Sequence, residues 1–150
     1  MKSPQIIGWR EWVEFPEWSI RLRAKADTGA SSSAIDCAEI IELPGHRVRF
    51  TVRLDRKQKK SITLEGEIKH HKQVRSSTGE GQSRIFVVTT VRLAGVEKKI
   101  FVNLVSRKSM IHRVLLGREA LAGDFLVNSA MEYQVTSRNR PRKQKAQSSE

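Results

Sequence analysis

An all-β fold is what this chain predicts, and three observations predict it. Val48-Arg-Phe-Thr-Val-Arg-Leu54 alternates apolar and polar residues without a break, and Ile20, Leu22, Ala24 and Ala26 alternate with Ser19, Arg21, Arg23 and Lys25. The remaining apolar runs are short and are separated by glycine, proline or charged residues. A period of two puts one face of each segment on a core and the other in water. With 150 residues, 38% hydrophobic and 29% charged, the chain suits one globular domain and is too short for two ordinary ones. We expect that domain over 1–135, with one short helix near its C-terminal end. Over 136–150 the composition shifts to Ser, Arg, Asn, Pro, Lys and Gln, which predicts a basic, disordered tail.

The elements follow in order. Ile6–Val13, with Trp9 and Trp12, reads as a strand whose tryptophans cover the core, with Arg10 and Glu11 as an ion pair. Pro16 sets a turn before the Ile20–Ala26 strand. Ser31-Ser-Ser-Ala-Ile35 reads as a serine-rich loop, and Ala38–Leu43 as a strand or a helical turn ended by Pro44-Gly45. Val48–Leu54 is the clearest strand. After the charged loop Asp55–Lys60, Ile62, Leu64 and Ile68 form its partner, with Gly66 as a bulge. Gly79 and Gly81 mark the tip of a polar loop before the strand Arg84–Leu93, which a turn around Gly95 joins to Lys99–Val105. Met110 is expected to fill a core gap. Val114–Leu116 enters Gly117 and a short amphipathic segment in which Leu116 and Leu121 pack inward while Arg118 and Glu119 stay polar. Phe125–Val127 and Met131–Val135 read as terminal strands.

Charge and cysteine usage narrow the setting. The net charge is +12, and part of the excess is the tail, where Arg138, Arg140, Arg142, Lys143 and Lys145 stand against Glu150. The body stays basic, which favours acidic partners or RNA-rich surroundings. Cys37 is the only cysteine, so no intramolecular disulfide forms and a reducing compartment is expected. The start carries no apolar signal core and no stretch is long enough to span a bilayer, so we expect a cytoplasmic protein with no membrane partner.

The candidate chemistry lies at Asp27-Thr28-Gly29. The strand before it runs straight into a turn that exposes a carboxylate; Thr28 can bond nearby backbone or a partner chain, and Gly29 allows a backbone region a side chain would forbid. Asp-x-Gly after a strand is ordinarily turn chemistry, so the triplet needs a second signal. Leu115-Leu-Gly-Arg118 supplies it. Asp27-Thr-Gly-Ala30 followed late in one small domain by apolar-apolar-Gly-Arg resembles the retroviral-type aspartic proteases, the retropepsins.

A wider set of motifs resembles, in order, a bacterial family of small retropepsin-like proteins. They are Ile7-Gly-Trp-Arg-Glu11, Lys25–Ala30, Val74-Arg-Ser-Ser77-x-Gly79, Arg107-x-x-Met110, Leu115–Arg118 and Phe125-Leu-Val127, together spanning about Ile6 to Tyr133. Members are often labelled "ATP-dependent zinc protease" and associated with ATP-grasp ligases that add glutamates to ribosomal protein. The resemblance implies an acid-protease barrel with Asp27, Thr28 and Gly29 at the catalytic centre. It implies substrate contacts from Ala30 and Ser31 and from a flap carrying Ser77, Gly79 and Gly81, with structural support from Leu116, Gly117 and Arg118. It also implies terminal strands that knit two subunits together. Two positions depart from the pattern: a histidine usual shortly after the triplet is Asp36, and a proline usual before Leu-Leu-Gly-Arg is Arg113.

Hydrolysis by carboxylates needs two of them sharing one proton, one to take a proton from water and the other to polarise the carbonyl. Only one Asp-Thr-Gly occurs, so a homodimer with one Asp27 from each chain is expected, acting on a peptide or protein and needing no cofactor. Acidic or glutamylated ribosomal-protein tails fit the charge and the resemblance. Two alternatives stand beside this. A zinc protease follows from the family label, but His46, His70, His71 and His112 form no ligand spacing, and adjacent His70 and His71 on a strand point to opposite faces. The label's ATP finds no Walker-type motif. The other alternative is a non-catalytic basic β-barrel module that binds ribosomal protein or RNA.

Overall fold

The computed structural model describes residues 3–55, 57, 60–75, 81–106 and 110–137. Eleven strands and one short helix form: β1 Gln5–Gly8, β2 Arg10–Phe15, β3 Ile20–Ala26, β4 Ser33–Leu43, β5 Arg47–Arg53, β6 Ser61–Glu67, β7 His70–Arg75, β8 Gly81–Leu93, β9 Val96–Val105, β10 Val114–Leu116, α1 Arg118–Leu121 and β11 Phe125–Asn128. The order β10-β3-β2-β8-β9-β4 closes on itself because β10 also pairs with β4, giving a closed six-stranded barrel. Strands β5 and β6 extend the sheet from β4, and β7 pairs along β8. The expected all-β barrel with one short helix is therefore what forms.

Alternation built the strands where one face is wet. In β3, Ile20, Leu22 and Ala24 are buried while Arg21, Arg23 and Lys25 look outward; in β5, Val48, Phe50 and Val52 are fully buried. Each such side chain contributes about 1.5–3 kcal/mol on burial. The core continues through Val13, Phe15, Ile35, Val102 and Val114. Between β8 and β9, Ala94 and Gly95 both take positive φ (52° and 78°) and Leu93 faces Val96, the geometry of a two-residue hairpin turn.

Several elements differ from expectation, each for a local reason. The first apolar run is two strands, broken at Trp9, because β1 leaves the barrel to pair in parallel with β11. Thus β1 and β11 join within one chain, Ile6 beside Leu126. The serine stretch is not all loop: Ser33 starts β4, which runs unbroken to Leu43. Ser33–Cys37 is buried on both faces and so shows no alternation; a bulge between Cys37 and Glu39 then turns the strand out to pair with β5. Gly66 is not a bulge, since β5 and β6 pair in unbroken register from Arg47–Glu67 to Arg53–Ser61.

Met131–Val135 is not a strand. The segment folds across Gly8, where a Cβ would meet Met131 O at 2.7 Å and Tyr133 N at 2.9 Å. Arg10 and Glu11 do not pair with each other. Arg10 bonds Glu132 at 3.0 Å. Glu11, 2% exposed, accepts backbone N–H groups of Gly8, Gln134, Val135 and Thr136 and the Thr136 hydroxyl. Thr136, assigned to the tail from composition, is thus anchored to the barrel; residues beyond 137 lie outside the described set.

Candidate active site

Asp27 sits where β3 ends, half-buried, and lines a cleft of about 390 Å³. Its backbone N–H donates to Leu116 O at 2.8 Å, continuing the parallel pairing of β3 with β10 for one residue. The turn then closes on itself: Gly29 N–H donates to Asp27 Oδ1 at 3.2 Å and Ala30 N–H to Asp27 O at 3.2 Å. That bond orients the carboxylate and leaves Oδ2 toward other partners.

The 116–119 segment clamps this turn. Arg118 N–H donates to Ala30 O (2.8 Å), Glu119 N–H to Ser31 O (3.0 Å), Arg118 Nη1 to Thr28 O (3.0 Å) and Gly117 N–H to Ser33 Oγ (3.1 Å). Gly117 allows the approach: its φ of −83° and ψ of 179° suit any residue, but a Cβ there would lie 2.5 Å from the Ser32 carbonyl carbon. The structure thus brings Asp27, Thr28, Gly29, Ala30 and Ser31 together with Leu116, Gly117 and Arg118. Gly29 corrects one expectation. It takes no positive φ, and a Cβ on it would meet only Asp27 Oδ1 at 3.5 Å.

The expected flap lies on β7 and β8, an antiparallel pair whose last described partners are Arg75 and Gly81. Ser77 and Gly79 lie outside the described residues. Met110 does not fill the core; half-buried, it lines the Asp27 cleft.

Two polar residues of the cleft wall, Arg84 and Asn103, escaped sequence reasoning. Arg84, on β8, lines the cleft and donates to Asn103 Oδ1 at 3.1 Å; Asn103 Nδ2 in turn donates to Ser33 O at 2.6 Å. This chain ties β8, β9 and β4 behind the turn. Asn103, 3% exposed inside the apolar run Ile100–Val105, was the available signal: a lone amide there needs a specific partner.

The two positions that depart from the family pattern meet. Asp36, wholly buried, accepts Arg53 Nη1 at 2.8 Å and Arg113 Nη1, while Arg113 Nη2 donates to Met110 O. Burial of this carboxylate is offset by two guanidinium groups. Such a site does not suit a cation. His46, His70 and His71 lie at the surface, His71 beside Glu42, and no group of three or more His, Cys, Asp or Glu among the described residues could hold a metal. The residues present do not fit the zinc of the family label. Cys37 is buried, and burial and the neighbouring Asp36 push its thiol up to about 12, so it offers no nucleophile. No helix among the described residues is long and apolar enough to cross a membrane.

Known proteins resemble this chain on both levels. A Legionella pneumophila protein of unknown function, known from its crystal structure, superposes with a TM-score of 0.73 at 27% identity, covering 88% of this chain and 98% of that one. A protein of Shewanella pealeana named "Probable alpha-L-glutamate ligase" is 29% identical over 133 residues, which is 85% of this chain. One of the same name in Desulfotalea psychrophila is 29% identical over 137 residues, 87% of this chain. The chain spans about 29% of the length of each of these curated relatives. A family model described as "Retropepsin-like aspartic endopeptidase RimB" matches residues 6–138, nearly the whole described barrel, and the chain belongs to this RimB-like family.

Proposed function

We propose that the chain is an aspartic endopeptidase working as a homodimer, with one Asp27 from each subunit. The observation that carries this reading is the clamped turn. Asp27 is held by Leu116 and Gly29, on a loop fixed by residues 117–119, and lines a cleft of about 390 Å³. Such fixing is what a catalytic carboxylate needs and a solvated turn does not. In the dimer one carboxylate takes a proton from water as the other, protonated, donates to the scissile carbonyl oxygen; the resulting tetrahedral intermediate collapses as the amine leaves with a proton. The β7–β8 hairpin closes over the substrate and pairs with its backbone.

The substrate class we propose is an acidic or glutamylated tail of ribosomal protein. Its support is the net charge of +12 and the match to relatives named glutamate ligases. The same charge supports association with ribosomal protein or RNA through the basic surface, in the cytoplasm, and RNA retention that falls steeply with salt would mark it. The deciding experiment measures cleavage of glutamylated peptides by mass spectrometry alongside oligomeric state. Asp27→Asn is expected to abolish hydrolysis with fold and dimer intact. Retained hydrolysis in that variant, or cleavage by a strict monomer, removes the shared dyad.

A further inference from the structure

On the outward face of β7, β8 and β9, strand pairing gathers rings that lie apart in the chain. His70 of β7 stands opposite Phe86 of β8, and Phe86 opposite Asn103 of β9, so Phe101 is the diagonal neighbour of Phe86 on the same face. The three rings pack together. His70 and Phe101 have centroids 5.0 Å apart at an interplanar angle of 42°, and His70 meets Phe86 edge-on at 6.4 Å. Phe86, 3% exposed, forms the floor, while Phe101 is 37% exposed and His70 is exposed beside it.

Charge frames these rings. Lys72 Nζ stands 5.5 Å from the Phe86 centroid, and Lys99 precedes Phe101 by two residues, on the same face and about 7 Å along the strand. Both lysines are exposed, and neither has a carboxylate partner among the described residues. The nearest acids toward the far end are already engaged, Glu97 by Arg92 and Glu17 by the Thr90 N–H. Surface apolar residues are ordinarily scattered singly; here one exposed ring leans on another between two lysines. Nucleobases have flat faces that stack on such rings, whereas a carboxylate tail brings charge and no face. The combination therefore favours RNA over acidic protein.

We propose that this face is a stacking platform for single-stranded RNA: a base lies on Phe101 and His70, while Lys99 and Lys72 take the phosphates on either side. The platform rests on the RNA association proposed above, to which it gives a place, and it is independent of the peptidase. Asn103, two residues on from Phe101, already belongs to the wall of the Asp27 cleft, so bound RNA lies beside the cleft rather than in it. Stacking reads only the π-face that every base has, so sequence preference is weak.

The test measures fluorescence anisotropy of a labelled 12-nucleotide oligouridine with the full chain over a range of salt. Phe101→Ala is expected to weaken binding about tenfold, as the loss of one stacked base does, and Phe101→Tyr to restore it. Lys99→Gln should lower the slope of log K against log salt by about 0.7. With 4-thiouridine in the RNA, photo-cross-links should map to Phe101 or His70. Binding that Phe101→Ala leaves unchanged, with cross-links only in 138–150, overturns the platform and leaves the RNA association standing. No binding even at low salt overturns both. Poly-glutamate that displaces the RNA as well as unlabelled oligouridine does, at equal charge, shows that charge alone is recognised and also overturns the platform. Should Phe101→Ala unsettle the fold, Lys99→Gln, at an exposed position, and the cross-links decide.

Discussion

Replacing Gly117 with alanine tests the clamp directly. The backbone at 117 is extended and tolerates a side chain, so no conformational strain is expected. The cost comes from space. The new Cβ would lie 2.5 Å from Ser32 C, 2.9 Å from Ser31 C and closer still to Ser32 O, all backbone atoms that cannot rotate away. The turn and the 116–119 segment must separate, which strains the bonds Gly117 N–Ser33 Oγ (3.1 Å), Arg118 N–Ala30 O (2.8 Å) and Glu119 N–Ser31 O (3.0 Å). Overpacking of this kind costs about 1–3 kcal/mol and each weakened hydrogen bond about 1 kcal/mol. We expect a loss of about 3–5 kcal/mol in urea unfolding, and a fall in kcat on the order of 100-fold as the carboxylate shifts. Gly29→Ala is the control, because its Cβ makes only an ordinary contact at 3.5 Å; its stability should stay within about 0.5 kcal/mol of the parent. Equal urea midpoints for Gly117→Ala and the parent would refute the close-approach argument.

Three further outcomes follow from buried polar groups. Asp36→Ala removes the carboxylate that Arg53 and Arg113 share, and should cost about 3–5 kcal/mol; Asp36→Leu with Arg113→Met should recover most of it in the same urea assay. Glu11→Gln weakens the acceptor of the Gln134–Thr136 backbone, and should cost about 2 kcal/mol; hydrogen exchange at 134–136 should rise while β5 stays protected. His112 binds its proton only near pH 4 when folded but near 6.5 when unfolded, so the unfolded state holds more protons between those values. Stability should fall as pH drops through that window, by about 1–3 kcal/mol, and His112→Phe should flatten this part of the profile.

Legibility followed how many faces of an element meet water. β3 and β5 were readable because one face is wet, and the alternation of Ile20–Ala26 and Val48–Leu54 records it. The first half of β4 was not, since Ser33–Cys37 is buried on both sides and its serines read as loop. Gly66 misled because a glycine in an ordinary strand position, with Phe50 and Val87 at 3.7 Å from a Cβ, looks the same in sequence as one at a bulge.

The sequence alone determined the strand-borne Asp27 turn and the Leu115–Arg118 motif, since both are local patterns of polarity and turn chemistry. It could not determine that Gly117 presses on Ser32, that Asp36 meets Arg113 some 77 residues away, or that Asn103 links Arg84 to Ser33 at the cleft wall. These are contacts between strands distant in the chain. Closure of the barrel sets them, because only the register of β10 between β3 and β4 decides which backbone atoms and charges come within reach.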